Sequence, residues 1–132
     1  MSPHRHQIRI YYADTDAGEV VYHANYLAFA ERARTECLRE LGIPHALMTA
    51  EHDCLFMVRR VELEYLRPAR LDDMLTITTE FQAQTAATLS LRQTFSLANP
   101  PDCARLDVEL VCVRASTGKP ARIPPRWRFD LS

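Results

Sequence analysis

Three glycines in 132 residues are few. They argue against Gly-rich phosphate loops and against a disordered or collagenous chain. Long apolar runs are missing too: none approaches the roughly 20 residues that a membrane span needs. Neither sign of charge dominates, with 16 basic and 17 acidic residues and a formal net charge of -1. No global field would draw the chain onto nucleic acid or an anionic membrane. The four cysteines, Cys37, Cys54, Cys103 and Cys112, form no Cys-x-x-Cys pair, so zinc-ribbon and thioredoxin readings have no support. The first residues, Met-Ser-Pro-His-Arg-His-Gln-Ile-Arg-Ile, hold no apolar signal region. A cytoplasmic protein with free thiols is the expectation.

What remains is ordinary globular composition of a length that suits one domain over residues 1–132. Residues 7–12 read as a strand. Residues 13–23 read as a loop holding two aspartates and Gly18. Asn25 is a good N-cap residue, and the spacing predicts a helix over 26–41. Tyr26, Phe29, Ala30, Ala33, Cys37 and Leu41 share its apolar face, opposite Glu31, Arg32, Thr35 and Arg39. Gly42 suits the C-terminal cap, and Pro44 prevents continuation. Residues 45–53 carry a weaker pattern that could hold one short helical turn.

Period-two alternation then takes over. Met57, Val61, Leu63 and Tyr65 fall on one strand face, with Arg60, Glu62 and Glu64 on the other. Further strands follow around Leu75–Phe81, Leu89–Leu97 and Leu106–Val113, with Asn99-Pro100-Pro101-Asp102 a strong breaker. Short turns between these strands predict antiparallel neighbours. One long helix must bury its apolar face on that sheet, so the fold class is α+β, with an antiparallel sheet around one helix. The sheet's edges favour pairing between subunits.

The chain has no Gly-x-Ser-x-Gly elbow, Walker loop, dinucleotide fingerprint or His-Glu-x-x-His. Its dense chemistry lies between Tyr11 and Tyr26: two aspartates, a glutamate, several phenols and an imidazole in a loop entering a helix. The unpaired N–H groups of that helix terminus could stabilise an oxyanion. A neighbouring aspartate could attack a carbonyl or activate water. Asp-x-Asp before a helix is more often turn and capping chemistry, and local chemistry does not choose between Asp14 and Asp16. His4 with His6, or His52 with Cys54, assembles no complete ligand set, so neither a metal nor a cofactor is expected.

Asp14-Thr15-Asp16-Ala17-Gly18, then Val20-Val21-Tyr22-His23-Ala24-Asn25-Tyr26-Leu27 and Glu31-Arg32-Ala33-Arg34-Thr35-Glu36, resembles the signature of YbgC-like acyl-CoA thioesterases. These form a branch of the 4-hydroxybenzoyl-CoA thioesterase family. Val58-Arg59-Arg60, Glu64-Tyr65, the run from Pro68 to Asp73, and Val111-Cys112-Val113 extend the likeness over about residues 7–115. The resemblance implies a hotdog fold, a homodimer or homotetramer with the acyl-CoA site between subunits, and thioester hydrolysis. It implies Asp16 as the catalytic carboxylate, His23 as a donor through its backbone N–H, and Tyr12 near the site.

Arg59 and Arg60 are the favoured partners of the CoA phosphates, with Arg67, Arg70, Lys119, Arg122, Arg126 and Arg128 as further candidates. Glu19 departs from the family, where many relatives carry glycine; its charge could raise the pKa of Asp16 if it pointed inward, but solvent is the expected direction. Thr85-Ala86-Ala87 lacks the basic residues that meet CoA phosphates in the 4-hydroxybenzoyl-CoA enzymes, so those contacts are not carried over. Alternatives to hydrolysis are an enoyl hydratase of the same fold, or a non-catalytic adaptor for an acyl carrier protein or an envelope complex.

Overall fold

A computed structural model describes residues 2–98 and 102–131. The breaker at Asn99, Pro100 and Pro101 lies outside the described residues. Five strands, β1 (His4–Arg9), β2 (Cys54–Tyr65), β3 (Met74–Gln84), β4 (Thr88–Ser96) and β5 (Asp102–Arg114), form one antiparallel sheet in the order β1-β3-β4-β5-β2. Helix α1 (Asn25–Glu40) lies on one face, followed by the short helix α2 (His45–His52). This is the expected α+β hotdog arrangement, a sheet wrapped around one long helix.

The apolar face of α1 explains its burial. Tyr26, Phe29, Ala30, Ala33 and Cys37 are all buried, and the two alanines have no exposed surface, which lets the helix approach the sheet closely. Leu41 departs from expectation. It is the C-cap residue, outside the helical turn, and is exposed. Leu38 is buried instead, because the helix flank is covered: it shares a small apolar cavity with His45 of α2 and Phe81 of β3. Gly42 ends the helix as predicted, at φ 79°. Its N–H donates to the Arg39 carbonyl at 3.0 Å, and that of Ile43 to the Leu38 carbonyl at 3.0 Å, which satisfies carbonyls the last turn leaves open.

One buried polar bridge pins α1 to the sheet. Gln93 of β4 is fully buried; its amide donates to the Ala30 carbonyl at 2.9 Å and to the Thr79 hydroxyl at 3.1 Å, and its oxygen accepts from the Arg34 guanidinium at 2.9 Å. Every hydrogen-bonding group of that amide is used, so its burial carries no unpaired polar atom.

Three further expectations need correction. The first strand begins earlier than residue 7 and stops at Arg9; Tyr12 opens a 3-10 turn (Tyr12–Asp14) instead of ending the strand. Strand β2 pairs with β5 rather than with β3, its neighbour in sequence. Within β2 the alternation breaks: Val58 faces Leu110 and Arg60 faces Glu109, so Arg59 is the extra residue of a bulge. The bulge puts Val58, Val61, Leu63 and Tyr65 in phase and Met57 out of phase with them.

Beyond β5 the chain turns back. Pro120 bridges to Val113, the Ile123 N–H donates to the Ala86 carbonyl at 2.8 Å, and Phe129 stacks on Phe81 at 4.2 Å between ring centroids. Trp127 ends fully buried, its indole N–H donating to the Ile43 carbonyl at 3.1 Å.

No described helix is long and apolar enough to cross a membrane.

Candidate active site

The loop between β1 and α1 is built from its own hydrogen bonds. The Asp14 carboxylate accepts from the Tyr11 N–H at 2.8 Å and so caps the 3-10 turn. The Asp14 carbonyl accepts twice, from the Tyr22 N–H and from the Asn25 side chain, each at 2.9 Å. Asn25 is therefore not the helix cap that its residue type suggests; Ala24 holds that position. Asn25 ties the start of α1 back to the aspartate loop instead. Asp14 is occupied by structure.

Asp16 is not. Its backbone closes a tight turn, the Asp16 N–H donating to the Val20 carbonyl and the Glu19 N–H to the Asp16 carbonyl, both at 2.9 Å. One carboxylate oxygen, Oδ1, accepts from the Gly18 N–H at 2.8 Å. Oδ2 has no partner among the described residues. A Cβ at Gly18 would lie 3.2 Å from Oδ1, so glycine there lets the backbone come close beneath the carboxylate. The side chain is exposed in a cleft of about 550 Å³, lined also by Tyr12, Thr15, Ala17, Glu19, Arg70 and Leu71. That size suits a small-molecule site.

Glu19 occupies the left-handed region, at φ 64°, where a side chain strains the backbone and glycine does not. Its side chain is exposed. Glu19→Gly is expected to raise stability by up to about 1 kcal/mol, the released strain exceeding the entropy of the freer unfolded chain. A urea midpoint at or below wild type would contradict this.

The sequence-predicted residues divide. Tyr12, 82 % exposed, and Asp16 share the cleft. His23 does not line it, but lies one residue before the N-cap of α1. Among the described residues, neither the His23 nor the Ala24 backbone N–H has an acceptor. These are the unpaired donors of a helix entrance. Arg59 lies at the β2 bulge, and Arg60 lines a shallow groove on the outer sheet face with Glu62, Asp107 and Glu109. Neither lines the Asp16 cleft. The cation that does is Arg70, one of several candidates in sequence, carried there by an isolated bridge between Val20 and Arg70 and by the Val21 N–H donating to the Ala69 carbonyl at 2.8 Å.

No three His, Cys, Asp or Glu side chains gather as a metal site among the described residues. The four cysteines are free and buried. Burial pushes the Cys37 and Cys103 thiols up to about 11 and that of Cys112 to about 12, so they remain protonated and poor nucleophiles.

Comparison with known proteins identifies the family and the fold. A model of the thioesterase-like superfamily matches residues 11–128. The acyl-CoA thioester hydrolase YbgC of Escherichia coli O6:H1 is 44 % identical over 120 residues, covering 91 % of this chain and 89 % of that protein. The acyl-CoA thioesterase YbgC of Haemophilus influenzae is 39 % identical over 117 residues, covering 89 % and 85 %. The crystal structure of a probable thioesterase from Bartonella henselae superposes with a TM-score of 0.87 at 36 % identity, covering 93 % of this chain and all of that one (100 %). A 1,4-dihydroxy-2-naphthoyl-CoA thioesterase from Synechocystis shares the fold, with a TM-score of 0.87 at 21 % identity over 96 % of this chain and 93 % of that one. With the family match spanning the Asp16 loop, both helices and all of β2 to β5, the chain belongs to the thioesterase-like superfamily, on its YbgC-like, hotdog-fold branch.

Proposed function

We propose that this chain hydrolyses acyl-CoA thioesters in the cytoplasm, with Asp16 as the reacting carboxylate. The observation that carries the proposal is the contrast between the two aspartates: Asp14 is consumed by capping, while Asp16 keeps a free oxygen in a cleft. The thioester oxygen would meet the open N–H groups of His23 and Ala24, where negative charge develops as the carbonyl becomes tetrahedral. Asp16 would attack the carbonyl carbon, expelling CoA thiolate and leaving a mixed anhydride for water to cleave, or would take a proton from an attacking water. Tyr12 would border the acyl carbonyl, and Arg70 would offer the cleft's cation to the anionic CoA.

The chain is proposed to act as a homodimer or a dimer of dimers. Among the described residues strand β2 has no partner on its outer edge, and Met57 and Val58 on it are 50 % and 53 % exposed. A long, apolar, unpaired edge of this kind is stable in water when a second copy covers it. Arg59 and Arg60 lie on this same strand, so their proposed contact with CoA belongs to the assembled form. Sedimentation should show no active monomer at working concentration.

A panel of short, long and aromatic acyl-CoA thioesters, with free acid and CoA resolved by chromatography, tests the activity. Turnover of at least one class, lost in Asp16→Asn, is the expected result. Binding without turnover across the panel would overturn hydrolysis in favour of an adaptor, and hydration of an enoyl-CoA without thioester cleavage would favour a hydratase.

A further inference from the structure

Tyr65 is the last residue of β2, paired with Ala104 of β5. Its side chain is 49 % exposed, yet its hydroxyl is committed. It donates to the His23 carbonyl oxygen at 2.8 Å, joining residues 42 positions apart. The ring sits edge-on to Tyr26 at 5.5 Å between centroids and to His23 at 6.3 Å. Tyr26 is buried and makes edge contacts of its own with Phe29 and Phe95. The Tyr65 ring therefore leans on a fixed aromatic cluster, and its hydroxyl is held in place rather than free to swing.

The consequence lies in the peptides entering α1. The Tyr22 carbonyl accepts from the Asn25 N–H at 2.9 Å, which orients the Tyr22–His23 peptide and so the His23 N–H. For the next peptide, His23–Ala24, the Tyr65 hydroxyl is the one anchor among the described residues. A peptide is planar, with its carbonyl and N–H pointing in opposite directions. Holding the His23 carbonyl therefore aims the Ala24 N–H. A donor tuned to a developing oxyanion works only in the right direction, and misplacement by about 1 Å can cost on the order of a hundredfold in rate.

We propose that Tyr65 is a positioning residue for thioester hydrolysis, acting through the His23–Ala24 peptide to aim the backbone donors at the entrance of α1. This rests on the proposed function above and adds a residue from outside the Asp16 loop. It also ties the donors to β2, the strand whose edge is unpaired.

Tyr65→Phe keeps the ring contacts and removes only the O–H donor. Its kcat is expected to fall about tenfold, less than the hundredfold or more for deleting an oxyanion donor outright. KM should stay within about twofold, because the loss is of transition-state and not ground-state interaction. Deuterium uptake across residues 22–25 should rise in the variant, while thermal unfolding shifts little. Asp16→Asn is run alongside. If wild type turns over in an Asp16-dependent way and Tyr65→Phe keeps a kcat within twofold of it, the positioning role is overturned and hydrolysis stands. Unchanged uptake across residues 22–25, or a rise in KM alone, also overturns it. Absence of turnover in the wild type overturns both.

Discussion

Asp16→Asn is expected to lower kcat by at least about a hundredfold, the scale of a lost general base. The substitution leaves the loop standing. An asparagine Oδ1 can still accept from the Gly18 N–H, the bond that Asp16 makes at 2.8 Å, and the backbone turn to Val20 does not involve the side chain. What disappears is the negative charge and with it the nucleophile or base. KM should change little, since other groups hold the acyl-CoA. Asp14→Asn is the matched control two residues away. Its carboxylate caps the Tyr12–Asp14 turn, so weakening it should cost up to about 1 kcal/mol of stability and little turnover per folded molecule. Steady-state kinetics on both variants, with folding checked by circular dichroism, decides the matter. A folded Asp16→Asn protein with near-wild-type kcat would remove Asp16 from the mechanism.

Trp127→Ala should produce the largest loss of stability. The indole is fully buried and reaches from the returning C-terminal segment to the loop after α1, where it donates to the Ile43 carbonyl. It also meets the His52 ring edge-on at 5.6 Å. Truncation opens a cavity and leaves that carbonyl unpaired, together worth about 3–5 kcal/mol. For a chain of this length the melting temperature should fall by about 10–15 °C. Trp127→Phe separates the causes, keeping most of the packing and losing the N–H, for about 1–2 kcal/mol. Because Trp127 is the single tryptophan, unfolding is followed by circular dichroism rather than fluorescence. A cost under about 1 kcal/mol for the alanine variant would mean the C-terminal segment is not a structural closure.

Much of this architecture is legible in the residues. The stripe from Tyr26 to Cys37 and the stop at Gly42 and Pro44 mark α1, because helical burial leaves a 3.6-residue signature. Strands β3 to β5 alternate over residues 75–81, 89–95 and 106–110, since there their inner faces are buried and their outer faces are polar. What is illegible depends on contacts distant in sequence. Met57 and Val61 look in phase until the bulge at Arg59 is seen, and nothing local announces that extra residue. Pairing of β2 with β5 rather than β3 reflects the closing of the whole sheet. The segment around Pro120, Pro124 and Trp127 has no periodicity, so its burial shows only when Ile43 and Ala86 are beside it.

The site divides in the same way. Asp14 and Asp16 are equivalent as residue types, and only their hydrogen-bond partners separate them. Asn25 has the right chemistry for a cap but is drawn away by the Asp14 carbonyl, a competing acceptor that the fold delivers. Arg70 stands among many arginines in the sequence; the bridge to Val20 selects it.

The burial of all four cysteines has a practical corollary. A disulfide reagent reacts with thiolates that it can reach. Added to the folded enzyme with an acyl-CoA, such a reagent counts each CoA released, against almost no background from the catalyst. Added to the enzyme alone under mild denaturant, the same colour becomes a clock for opening of the core. The 4 thiols are spread over three elements: Cys37 on α1, Cys54 on β2, and Cys103 and Cys112 near opposite ends of β5. Their order of labelling would report which element loosens first.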